Sequence, residues 1–255
     1  MTLRNILLPL VLLTLATAAC AQTRDDLPAP IQALQERGIE IVAEFDAPGD
    51  LTGYAGIANQ QPVAMYVTGD GQYVIVGSML NSSGELEDWE TLEKLVAEPM
   101  TKRAWSELEH SEWIAEGDAG AEHVLYAFMD PSCPFCHMFW TQVRPWVESG
   151  KVQLRYIMVG VISEQSPNKA AAIMTADDPL AAFTRNEKQF DNGGIEPLEN
   201  IPAQTQNALM ANQRLMTQMG IQGTPGIAYL DADGHIQFWR GVPKKEDMIE
   251  VLGEP

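Results

Sequence analysis

The chain has 255 residues, 45% of them hydrophobic and 20% charged, enough apolar content for packed cores in one or two domains. Sixteen basic residues stand against 35 acidic ones, and the net charge of −19 argues against nucleic acid or an anionic membrane as a partner. Three cysteines are too few for a disulfide-stapled scaffold or a four-thiolate zinc site.

Arg4 precedes an apolar run over residues 6–19, and small residues follow. That is the pattern of a secretory signal peptide, expected over residues 1–21. The run is short for a membrane span and contains Pro9. Thr17-Ala18-Ala19-Cys20 loosely matches a lipoprotein box, but Thr17 stands where a large aliphatic residue is usual. Cleavage after Ala19-Cys20-Ala21 is therefore preferred to lipidation of Cys20. The mature chain would keep two cysteines, Cys133 and Cys136, in an oxidising compartment.

Residues 22–87 read as a small α+β domain with no evident catalytic group. A brief amphipathic helix around Ile31 and Leu34 precedes an alternating strand over 39–45. Two β-rich runs, 62–67 and 72–77, flank Thr68-Gly69-Asp70-Gly71, a hairpin signal. Residues 88–118 form a helical linker. Trp89, Leu92, Leu95 and Val96 recur at helical spacing, Trp105, Leu108 and Trp113 continue it, and Pro99 is expected to break or bend it. Twelve acidic and three basic residues over 85–122 mark a solvated helix with one packed side.

Residues 119–255 alternate strand and helix: strand 123–129, helix 134–148, strand 152–162, helices 168–175, 180–190 and 204–219, strands 227–230 and 235–240, helix 244–252. A βαβ start and a ββα end separated by helices is a thioredoxin-like α/β plan with a helical insertion.

Chemistry concentrates at Cys133-Pro134-Phe135-Cys136, placed after a strand and opening a helix. Pro134 suits a first helical turn, where its missing N–H costs nothing. The helix entrance offers free N–H groups and a positive dipole end to Cys133, which favours its thiolate and suggests an exposed sulfur. Cys136, one turn on, can resolve a mixed disulfide formed on Cys133. A structural disulfide so short would close almost no loop. The four histidines, His110, His123, His137 and His235, include no ligand-spaced pair, so no metal is expected. Cys133-Pro-Phe-Cys136-His137 also matches the covalent haem motif of exported cytochromes, but the flanking strand and βαβ context favour a redox dithiol without cofactor. Gly223-Thr224-Pro225-Gly226, just before the strand at 227, supplies a second constellation.

The segment Asp130-Pro131-Ser132-Cys133-Pro134-Phe135-Cys136-His137-Met138-Phe139-Trp140 resembles the active-site segment of the DsbC/DsbG family of periplasmic disulfide isomerases. Arg144-Pro145-Trp146-Val147, Val159-Gly160-Val161-Ile162, the Pro after the first cysteine and Thr224 are similar to its DsbG branch. The resemblance is highly specific from residue 123 onward and weaker over 27–115. It implies that Pro225 is cis and faces the dithiol, with Thr224 offering backbone groups to a substrate strand. It also implies a cystatin-like N-terminal dimerisation domain and a V-shaped homodimer. Its clients would be exported proteins carrying disulfides or sulfenylated cysteines, and a DsbD-type membrane reductase would return its electrons. Phe135 departs from the usual Tyr of the branch and removes a hydroxyl beside the reactive sulfur. The rival activities are a DsbA-like oxidase, a c-type haem carrier and a chaperone-like binding protein.

Overall fold

The computed structural model describes residues 27–58 and 61–255. The signal peptide and Cys20 lie outside the described residues. Among those described, no helix is long and apolar enough to cross a membrane.

The chain opens with α1 (Ala29–Glu36), then an antiparallel meander of β1 (Glu40–Asp46), β2 (Leu51–Ala58), β3 (Gln61–Thr68) and β4 (Val74–Val76), paired in that order. Its period-2 pattern buries both faces. Tyr54, Met65 and Val67 pack with Ile31 of α1, while Ala55, Ile57, Ala64 and Tyr66 pack with Leu92 and Val96 of α2 (Trp89–Glu109). Strand β2 carries two glycines and escapes a propensity reading. Tertiary packing explains both: a Cβ at Gly53 would collide with the Phe45 ring, and one at Gly56 with Met65 and the Glu40 carbonyl.

Of the break or bend expected at Pro99, the break does not occur: α2 is one helix through that residue. Proline removes one N–H donor, but both halves of α2 are anchored in cores. Leu92 and Val96 belong to the N-terminal core, whereas Ala104 and Leu108 pack with Tyr126, Phe128 and Leu215 of the second domain.

The second sheet has the order β5-β7-β6-β8-β9: β5 (Ile114–Glu116), β6 (His123–Met129), β7 (Val152–Met158), β8 (Gly226–Leu230) and β9 (Ile236–Arg240). β6 and β7 are parallel and joined by α3 (Pro134–Glu148), and the other pairings are antiparallel. Helices α4 (Ser166–Met174), α5 (Pro179–Lys188) and α6 (Ala203–Gln218) form the insertion, and α7 (Lys245–Leu252) closes the chain. Residues 114–116, read from the sequence as linker, are the edge strand β5. A fork holds them there: Arg144 donates from Nη1 and Nη2 to Glu116 at 2.6 and 2.8 Å, and Tyr156 Oη donates to the same carboxylate. Strand β7 ends at Met158 instead of 162, because the N–H groups of Val161 and Ile162 are taken by the Asp130 carboxyl at 2.6 and 3.0 Å.

Candidate active site

Strand β6 ends at Met129, and Asp130 to Ser132 turn the chain into α3, whose N-cap is Cys133 in extended conformation. Asp130 is buried and fully bonded. Besides Val161 and Ile162, it accepts from Ser132 N–H at 2.8 Å and Ser166 Oγ at 2.8 Å. One carboxyl group therefore fixes the turn before the dithiol to the loop after β7 and to the start of α4.

Cys133 and Cys136 are unpaired thiols, and each residue is 1% exposed. The expectation of an exposed Cys133 needs correction, because the Thr224-Pro225 segment lies across it. The Cys133 thiol donates to the Thr224 carbonyl at 3.4 Å, and the Thr224–Pro225 bond is cis. Cys136 Sγ accepts from the Asp130 N–H at 3.4 Å. A hydrogen bond from the Cys136 thiol pulls Cys133 down to about 6, outweighing burial, with help from Thr224 and the Cys136 and Phe135 N–H groups. Burial, and then that same donated bond, push Cys136 well above the ordinary thiol range. The Thr224 hydroxyl is buried and makes no full hydrogen bond, yet it lies near enough to favour the thiolate of either sulfur.

Pro134 occupies the first turn of α3, and Phe135, at 58% exposure, faces outward. The hydroxyl that Phe135 lacks would have faced solvent or client. His137 is held by Glu187 and Phe190. Its Nδ1 sits 3.0 Å from Glu187 Oε2, and its ring stacks on Phe190 with centroids 4.7 Å apart. Glu187 is 1% exposed and also accepts from Asn186 Nδ2 at 3.1 Å, while that amide donates to the Pro131 carbonyl at 3.1 Å. Burial raises the Glu187 carboxyl against the lowering effect of His137, and the Cys133 charge raises it further. Sequence reasoning missed Glu187, since it lies 50 residues from His137 on a different helix. His137 is thus engaged, and both sulfurs sit in a packed α/β core, so the geometry gives no support to a haem attachment. Among the described residues, no cluster of His, Cys, Asp or Glu could hold a metal.

A dithiol at a strand-to-helix turn, facing a cis-proline ahead of an antiparallel strand, defines a thioredoxin-like thiol-disulfide oxidoreductase. A family model described as a thioredoxin-like domain matches residues 114–254. The thiol:disulfide interchange protein DsbG of Pseudomonas aeruginosa is 44% identical over 241 residues, covering 94% of each chain. Its namesake in Escherichia coli K12 is 36% identical over 242 residues, covering 95% of this chain and 98% of that one. The solved Helicobacter pylori DsbG covers 80% of this chain and 99% of its own, at 19% identity and a TM-score of 0.41. The chain belongs to the DsbG family of thiol:disulfide interchange proteins. It is a disulfide isomerase and reductase whose partners are disulfide-containing proteins.

Proposed function

We propose that the chain is exported to the periplasm and exchanges disulfides through Cys133 as nucleophile and Cys136 as resolving thiol. The observation that carries this is the Cys133 thiol, drawn down to about 6 at a helix entrance and facing the Thr224 carbonyl. The Cys133 thiolate attacks a client sulfur, forming a Cys133–client disulfide and expelling the other client sulfur as thiolate. In isomerisation that thiolate attacks elsewhere in the client and frees Cys133 unchanged. In reduction Cys136 gives up its proton and attacks Cys133, so two electrons pass to the client and a Cys133–Cys136 disulfide remains. A sulfenylated client cysteine would react at the same sulfur, releasing water and leaving the same mixed disulfide.

A membrane reductase of the DsbD type would restore the dithiol. Rapid acid quenching and alkylation of periplasmic extracts should find both cysteines reduced at steady state. A predominantly oxidised pair would defeat the DsbD-type reductase as the source of its electrons.

The N-terminal domain would pair two copies. Strand β4 is a sheet edge whose Ile75 is 56% exposed, with Tyr73, Val76, Leu80, Leu86 and Trp89 exposed around it. Open apolar edges invite strand pairing, and a two-fold contact would close both at once. Light scattering should therefore show a dimer, and Ile75→Lys a monomer. A monomeric wild type at micromolar concentration would defeat the dimer.

A further inference from the structure

On the Thr224 side of the dithiol lies a depression of about 480 Å³, lined by Gly220, Gln222, Gly223, Thr224, Arg240 and Gly241. Thr224 is common to both places: its carbonyl faces the Cys133 sulfur, while the residue also walls the depression. The framework is rigid. Arg240 pairs with Gly226 in the β8–β9 ladder, and the Gly241 N–H donates to the Pro225 carbonyl at 2.8 Å. The glycines leave room, since a Cβ at Gly223 or Gly241 would meet nothing within 4 Å.

Arg240 is the one charged side chain of this lining, and it is exposed. Its Nε donates to the Gly220 carbonyl at 3.3 Å, and its guanidinium lies 5.6 Å from the Phe238 ring centroid. Those contacts fix the direction of the fork. Among the described residues, no carboxylate is in ion-pair range of it. A chain of net charge −19 thus keeps an unneutralised guanidinium in a depression that shares Thr224 with the dithiol.

We propose that Arg240 and this depression form a subsite for an acidic side chain of the client, close in sequence to the cysteine under attack. This rests on the exchange reading above and adds a rule of client selection to it. An extended client segment lying along Gly223-Thr224 brings its reactive sulfur to Cys133 and sends a neighbouring side chain over the glycine floor. A carboxylate there meets the two free ends of the guanidinium fork, and a lysine is repelled.

The test uses three disulfide-bonded peptides that differ only in the residue after the reactive cysteine: Asp, Asn or Lys. The kcat/KM for reduction is measured with wild type, Arg240→Lys and Arg240→Glu. Wild type should prefer the Asp peptide to the Lys peptide by about fivefold, the scale of one partly exposed charge pair, and high salt should flatten the preference. Arg240→Lys should keep part of it, and Arg240→Glu should invert it. Each rate is read relative to the Asn peptide on the same protein, so that a general change in activity cancels and only the charge preference is compared. An Asp-to-Lys ratio equal in wild type and Arg240→Glu overturns the subsite. So does a loss in Arg240→Glu that is uniform across the three peptides, because the effect would then lie in the fold or the dithiol. Failure of wild type on every peptide would strike the exchange reading itself, a separate outcome.

Discussion

Replacing Cys133 by Ser should lower client reduction by about a thousandfold or more, and Cys136→Ser should accumulate a stable mixed disulfide with the client. The asymmetry follows from the environments of the two sulfurs. Cys133 sits at the helix N-cap, where the neighbouring Cys136 thiol, first, and the Cys136 and Phe135 N–H groups favour its thiolate. Cys136 lies in the first turn, where burial keeps its proton on until a mixed disulfide brings a reactive bond within reach. The same geometry sets the pH dependence. A pKa drawn down to about 6 means that alkylation of Cys133 rises with pH through that value and is nearly complete by neutrality. Below it the thiol is protonated and slow. Cys136→Ser keeps a hydroxyl donor and should hold the midpoint well below the ordinary thiol value. Cys136→Ala removes the leading donor and should move the midpoint upward. Trapping that requires Cys136 and tolerates Cys133→Ser would reverse the assigned order.

The second large effect belongs to Asp130. Asp130→Ala should destabilise the catalytic domain by about 3 kcal/mol, because it strands one buried and three part-buried donors, and an unsatisfied buried donor costs about 1–3 kcal/mol. Three of the four donors are backbone N–H groups that cannot turn away: those of Ser132, Val161 and Ile162. The fourth is the Ser166 hydroxyl at the start of α4. The thermal midpoint of that domain should fall by roughly 10 °C, given about 2–4 °C per kcal/mol for a domain of this size. Asp130→Asn should recover little, since its amide would point a donor at donors. Client reduction should fall as well, because the Asp130 N–H touches Cys136 and its carboxyl fixes the turn into α3. A midpoint within about 2 °C of wild type would show that water replaces the carboxyl at no cost.

Much of the molecule is written locally. The bounds of β6 and α3, the place of the dithiol between them, the turn of the last hairpin and the helical insertion all follow from short-range features. These are apolar periodicity, a proline in the first helical turn, glycines at turns and an Asp-Gly pair. The cysteine spacing names the chemistry, because a dithiol at a helix entrance needs only neighbours in sequence to be poised for exchange.

What the sequence left open depends on groups far apart in the chain. The glycines of β2 weaken any strand signal until Phe45 and Met65 are seen to occupy the space their side chains would need. The helix through Pro99 persists because two separate cores hold its ends. Strand β5 exists because Arg144 and Tyr156 grip Glu116 from the neighbouring elements. Cys133 is buried by the Thr224-Pro225 segment, 91 residues away, and His137 finds Glu187 only because α5 folds back over α3. Local periodicity decides which element a segment becomes. Long-range contacts decide its ends, its exposed atoms and its charges, since desolvation and hydrogen bonding are properties of the assembled core.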